Sequence, residues 1–183
     1  MTLTLAKWSL DDYHRMVDAG LLAERRVELI DGDIVEMVPE GPEHAGRGET
    51  LAMILRRKLG DRAWIREARP IELANSEPEP DIAVVNPAKV PYLSHHPRVE
   101  DIFLVIEISK STLQTDLTRK RDLYARSGIP EYWVVDLQNR RLEVFRSPND
   151  GTYQEQRSLE NTGEAIAPIA FPDCLISPNA IFS

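Results

Sequence analysis

Two short apolar runs, each tied to one acidic residue, constrain this chain more than any other feature. Pro80-Asp81 opens the run Asp81-Ile82-Ala83-Val84-Val85, and Glu107 sits near the end of Ile102-Phe103-Leu104-Val105-Ile106-Glu107-Ile108-Ser109. Apolar runs of this length, rich in Ile and Val, predict strands buried on both faces. A carboxylate at the end of such a strand is costly to bury unless it is paired or bound to a cation. If the two strands are antiparallel neighbours, the acids meet at one edge of the sheet. Carboxylates that close repel, and Mg²⁺ relieves this because it takes hard oxygen ligands and keeps several waters.

A helical segment just beyond carries a third element. Asp116, Lys120 and Tyr124 follow the i, i+4, i+8 spacing of one helix face. A Lys120 amine over a metal site would position or help deprotonate an attacking water, or stabilise a pentavalent phosphate. Each residue also has a plainer reading. Asp81 is a common kind of turn residue after proline. Lys120 in acid-first order with Asp116 makes a surface ion pair worth only about 0.3–0.5 kcal/mol. Alternation along the second run puts Phe103, Val105, Glu107 and Ser109 on one face and Leu104, Ile106 and Ile108 on the other.

The length of 183 residues suits one domain, 1–183, with a real core. A single cysteine, Cys174, rules out a disulfide framework and a cysteine-based zinc site, and fits a reducing, cytoplasmic setting. The chain has no leader-like start and no run near the roughly 18 apolar residues of a membrane span. A net charge of −8 argues against avid, non-specific nucleic-acid binding and leaves a weakly binding nuclease open.

Turn and cap signals set the elements in order. Ser9-Leu10-Asp11-Asp12 caps a helix over residues ~10–19. Asp31-Gly32 joins strands 26–31 and 33–38 in a hairpin. Leu51, Ile54, Leu55 and Leu59 mark a helix over ~44–59 that ends at Gly60. Strands follow at ~63–73, 81–85 and 102–109, then a helix over ~115–127 stopped by Gly128 and Pro130, a strand at 131–137, and strands near 142–146 and 153–157. The tail from Ala165 is apolar and proline-rich and reads as irregular packing. This order predicts a mixed α/β sheet flanked by helices, with hairpins added at both ends.

Further residues carry weaker signals. Glu28, between Val27 and Leu29, either completes an acidic cluster or is an exposed strand glutamate. His44 opens a helix after Glu43 and is either a capping residue or a base. His95 and His96 have no third ligand at zinc spacing. Trp8, Trp64 and Trp133 read as core or edge aromatics. No glycine-rich strand-to-helix turn supports a nucleotide-binding enzyme.

Taken together, Pro80-Asp81, Glu107-Ile108-Ser109 and the stretch from Asp116 through Lys120, Tyr124, Gly128 and Glu131 to Asp136 resemble the Uma2 family of the PD-(D/E)xK nuclease superfamily. The segment Val27-Glu28 to Asp33 and Glu36, and the Glu43-His44 helix start, add to that resemblance, which runs from about residue 8 to 146. It implies a restriction-endonuclease-like core and cleavage of DNA by a Mg²⁺-dependent, or Mn²⁺-dependent, endonuclease. It implies Asp81, Glu107 and the main-chain carbonyl of Ile108 as metal ligands, with Lys120 as catalytic lysine; Glu28 and His44 are further candidates on their own positions, either of which could orient the water. The lysine that the superfamily places two residues after the glutamate is Ser109 here, so the resemblance moves that role to Lys120. A catalytically silent module that binds or regulates, and a homodimer, are the alternatives in function and assembly.

Overall fold

The computed structural model describes residues 5–161 and 163–183. Helix α1 spans Leu10–Asp18, and its first turn is closed by a capping box in which the Ser9 hydroxyl and the Asp12 carboxylate each serve the other's backbone. Strands β1 (Val27–Ile30) and β2 (Asp33–Glu36) form a separate two-stranded hairpin. Its turn needs left-handed backbone at both central residues, Asp31 at φ 51° and Gly32 at φ 75°, which is why Asp-Gly sits there.

Helix α2 spans Pro42–Leu59 and starts two residues before the predicted boundary, because Pro42 at the first helical position has the right φ and no N–H to waste. The main sheet has six strands in the order β3 (Trp64–Glu67), β4 (Ile82–Val85), β5 (Ile102–Ser109), β6 (Glu131–Asp136), β7 (Arg141–Asn149) and β8 (Thr152–Glu160). Only β5 and β6 run parallel; every other neighbouring pair is antiparallel. The crossover between the parallel pair is helical: α3 (Leu113–Thr115), a π-helical turn (Asp116–Lys120) and α4 (Arg121–Ser127). Gly128 ends it in the left-handed conformation.

Each face of the sheet is covered. On one, Leu51, Leu55 and Leu59 of α2 pack on Leu104, Ile106, Ile108 and Trp133. Phe171, Ile176, Ile181 and Phe182 of the C-terminal segment extend that layer, and it ends in a short helix α5 (Pro178–Phe182) rather than wholly irregular chain. On the other, Leu123, Tyr124 and Ile129 pack on Val105, Tyr132, Val134 and Phe145, with Ile30 from the hairpin. The structure is thus mixed α/β, a six-stranded sheet between helices with an added hairpin.

Two local features depart from the sequence expectation. The strand predicted over 63–73 stops at Glu67, because Ala68 takes φ 44° and Pro70 cannot donate to a ladder. Register shifts by one residue between β4 and β5, pairing Val84 with Leu104 but Val85 with Ile102. The skipped residue, Phe103, turns onto the α2 face and meets Phe171 edge-on at 5.3 Å, so it does not share a face with Val105 and Glu107. Trp133 is fully buried, whereas Trp8 and Trp64 are about half exposed.

Candidate active site

The antiparallel register between β4 and β5 pairs Ile82 with Ile106, so one step further Asp81 lies across from Glu107. The ladder does not continue there as backbone to backbone. Instead the Ile108 N–H donates to the Asp81 carboxylate at 2.6 Å, which fixes that side chain at the strand ends. Glu107 is buried, and its Oε1 accepts from the Lys120 amine at 3.1 Å and from the Tyr124 hydroxyl at 2.9 Å. Lys120 is therefore no surface partner of Asp116: it is buried and points at the strand-end acids.

Glu28 joins them by a long-range route. Strand β1 bridges to the proline-punctuated acidic segment through Leu29 and Glu77, and the Glu79 N–H donates to Glu28 at 3.2 Å. The Glu28 carboxylate is buried and stands 3.4 Å from the Lys120 amine. The exposed-glutamate reading of Glu28 is thus overturned by a contact that no local pattern encodes.

The π-helical turn explains how Lys120 reaches inward. The buried Ser109 hydroxyl donates to Asp116 at 2.7 Å, and the Tyr132 hydroxyl donates to the Asp116 carbonyl at 3.1 Å. Both bonds pin the wide turn whose last residue is Lys120, and single π turns of this kind are common at functional sites.

His44, on the first turns of α2, completes the near side. Its Nε2 lies 3.2 Å from the Asp81 carboxylate, and its Nδ1 is buried 3.5 Å from Glu40 without a hydrogen-bond partner. Glu40, His44 and Asp81 each offer a ligand atom within 4.8 Å of the others, and among the described residues no other trio of His, Cys, Asp or Glu does so. Glu40 was missed from sequence, although its spacing of four from His44 across a helix start was the available signal. A cleft of about 180 Å³ is lined by Glu28, Glu40, His44, Glu79, Asp81 and Glu107, and also by Ile108 and Lys120. All six residues expected at the site therefore border one cavity, while His95 and His96 lie in another, beside Tyr92 and Arg98.

The electrostatics follow from burial among acids. Desolvation pushes the Glu107 carboxyl well up; Asp81, Asp116 and Glu28 add to this, and Lys120 opposes it. Burial alone would lower the Lys120 amine, but Glu107, Glu28 and Asp116 outweigh it and drive it up, so the lysine stays charged. Burial also raises Asp116 against the opposing pull of Lys120. For His44, burial lowers the affinity for a proton, but the hydrogen bond and charge of Asp81, then the charge of Glu40, outweigh it, and the net shift is upward. The donor set fits a divalent cation: clustered carboxylates that repel one another, a buried imidazole nitrogen without a partner, and one cleft that reaches them all.

A mixed sheet of this order, with helices on both faces and an added hairpin, is of the restriction-endonuclease-like class. The Uma2 family model, described as "Putative restriction endonuclease", matches residues 10–178, and the chain belongs to that family. It is similar to a crystal structure described as "a putative nuclease belonging to DUF820" from Anabaena variabilis. That chain is 17% identical, with a TM-score of 0.78 over 95% of this chain and 97% of its own, a likeness that bears on the fold. No curated protein matches the sequence.

Proposed function

We propose that this chain is a metal-dependent endonuclease that hydrolyses phosphodiester bonds of DNA. The observation that carries the proposal is the meeting of Asp81, Glu107 and Lys120 in one cleft, with the lysine 3.1 Å from the glutamate. Family membership supports the same reaction class. Asp81, Glu107 and the Ile108 carbonyl would hold Mg²⁺ or Mn²⁺. Such an ion polarises a phosphate and lowers the pKa of bound water.

The chain's own groups account for the rest. Lys120 keeps its positive charge in a buried position on the cleft wall, where it would stabilise negative charge growing on the phosphate oxygens. Tyr124 holds the Glu107 carboxylate and Glu28 holds the Lys120 amine, each by one contact. His44 offers a proton-carrying nitrogen beside Asp81, suited to orienting a water or protonating the leaving oxygen. The balance is simple: water adds its oxygen to phosphorus, one P–O ester bond breaks, and the departing oxygen takes up a proton.

The test is cleavage of plasmid and linear DNA at low salt with Mg²⁺ or Mn²⁺, since contacts to phosphate weaken as ionic strength rises. Nicking that disappears in Asp81→Ala supports the proposal. Intact DNA under all conditions, with no metal uptake, sinks it. Ser109 at the superfamily's lysine position favours a second reading, a silent binding module, which predicts metal and DNA binding without any strand scission.

A further inference from the structure

The cleft that holds Asp81, Glu107 and Lys120 adjoins a second, larger space. A cavity of about 450 Å³ is lined by Val38, Pro39 and Pro42 from the segment between β2 and α2, and by Lys110, Ser111 and Gln138 from the loops after β5 and β6. It shares Val38, Glu40, His44 and Thr112 with the cleft, so whatever occupies one space borders the other. The two differ in character: acids crowd the cleft, whereas the cavity presents mostly hydrocarbon. The groups assigned to the chemistry lie below the surface, with Glu107 3% and Lys120 9% exposed. The acids on both walls also hold the cations that reach them. Arg26 meets Glu79 at 3.2 Å, Arg25 meets Glu36 at 3.7 Å and Lys110 meets Glu43 at 2.7 Å.

We infer that this cavity receives the base of an unpaired nucleotide next to the scissile phosphate, so that the substrate class of the cleft is single-stranded or locally unpaired DNA. The inference rests on the reading of the cleft as a nuclease site and narrows it to one form of DNA. Duplex DNA is a stiff rod held mainly through its phosphates, which calls for free cations along a surface. Here Arg25, Arg26 and Lys110 are already tied to acids, and the reacting groups are recessed. A single strand bends, and a base turned out of the stack gains binding from apolar walls that a phosphate cannot use. Val38, Pro39 and Pro42 supply such walls. Gln138 supplies a polar handle: a carboxamide has two N–H donors and an acceptor, and Gln138 gives one donor to the Lys110 carbonyl at 2.6 Å. The remaining donor and the acceptor suit the edge of a base. A cavity of this volume falls in the range that holds a small ligand. The competing arrangement is an intact duplex laid across the mouth of the cleft, with the cavity left to solvent.

Fluorescence anisotropy of labelled oligonucleotides on the full chain, with Ca²⁺ in place of Mg²⁺, separates these, and cleavage with Mg²⁺ or Mn²⁺ is followed in parallel. The probes share one sequence: a single strand, a blunt duplex, a duplex with one unpaired base, and single strands carrying one abasic position moved along the chain. The single strand should bind about tenfold or more tighter than the blunt duplex. One abasic position, and not its neighbours, should remove most of that advantage. Pro39→Asp, which places a charge on a wall of this cavity alone, and Gln138→Ala should each weaken the intact strand and leave the abasic strand unchanged. Both residues are exposed, and circular dichroism checks that each variant folds. Tight binding of the duplex with one unpaired base supports the inference with an extruded base, and binding of the free strand alone supports it with single strands as the source. A blunt duplex bound and cut as well as the single strand overturns the inference, as does binding indifferent to every abasic position or to both variants. If that duplex is cut only with Asp81 in place, the nuclease reading stands without the inference. Base-dependent binding with no scission of any probe keeps the cavity assignment and overturns the nuclease reading. No binding and no scission overturns both.

Discussion

The Ser109 hydroxyl donates to the Asp116 carboxylate at 2.7 Å, a buried bond joining the end of β5 to the π-helical turn that delivers Lys120. The residue that stands where a lysine was expected is therefore the anchor for the element that brings a lysine from elsewhere. Both side chains lie on the Glu107 side of β5, so the amine reaches the same acid by a different path.

This anchor predicts a measurable cost. Ser109→Ala leaves a buried carboxylate short of a donor and should destabilise the fold by about 1–3 kcal/mol in urea denaturation. Ser109→Lys combined with Lys120→Ala should recover part of the cleavage lost in Lys120→Ala alone. No recovery in a folded double variant would show that strand and helix lysines are not interchangeable.

Lys120 answers two buried carboxylates, so removing it leaves them uncompensated. Lys120→Ala should cost about 3–5 kcal/mol, as for other broken buried pairs. Adding Glu107→Gln should return a good part of that loss, because the variant then buries one charge fewer. Strictly additive effects in this double-mutant cycle would refute the coupling. Cleavage by Lys120→Ala should fall about 100- to 1,000-fold if the amine stabilises the transition state.

Alkaline pH should unfold the protein through its tyrosines. Burial first, then neighbouring Glu107 or Asp116, pushes Tyr124 and Tyr132 well up, and burial likewise raises Tyr153. Unfolded tyrosines lose a proton near pH 10, whereas these keep theirs in the fold. Above about pH 10 the unfolded chain then binds fewer protons, so stability is intact below that pH and falls as pH rises. Urea midpoints measured from pH 7 to 11 should show this drop, and Tyr132→Phe should flatten it.

The hairpin turn sets the position of Glu28. A Cβ on Gly32 would lie 2.9 Å from the Lys7 Cβ and 3.0 Å from the Trp8 carbonyl, at φ 75°. Gly32→Ala should therefore cost at least about 1–2 kcal/mol and lower the melting temperature. If the variant melts as the wild type does, the close approach of the N-terminal segment to this turn is wrong.

Much of this molecule could be read one-dimensionally. Caps, glycine stops and apolar periodicity act within a few residues, so α1, the hairpin, β5 and the Gly128 stop stand close to where local rules put them. Asp81, Glu107 and Lys120 were visible as polar interruptions in segments whose surroundings demanded burial. The register slip that turns Phe103 to the α2 face was not visible, because it depends on how β4 meets β5.

Long-range contacts also decided the rest of the site. Glu28 is buried only because β1 bridges to Glu77 and the next segment caps its carboxylate from Glu79. Glu40 matters only because the start of α2 is set against Asp81. Ser109 and Asp116 look unremarkable until a widened turn lets them bond and aims Lys120 inward. Sequence alone determined which residues carry charge and which segments must be buried, since those follow from side-chain chemistry. Which charges share one cleft was left to the tertiary structure, because burying several acids together is tolerable only when distant segments supply the donors and cations that balance them.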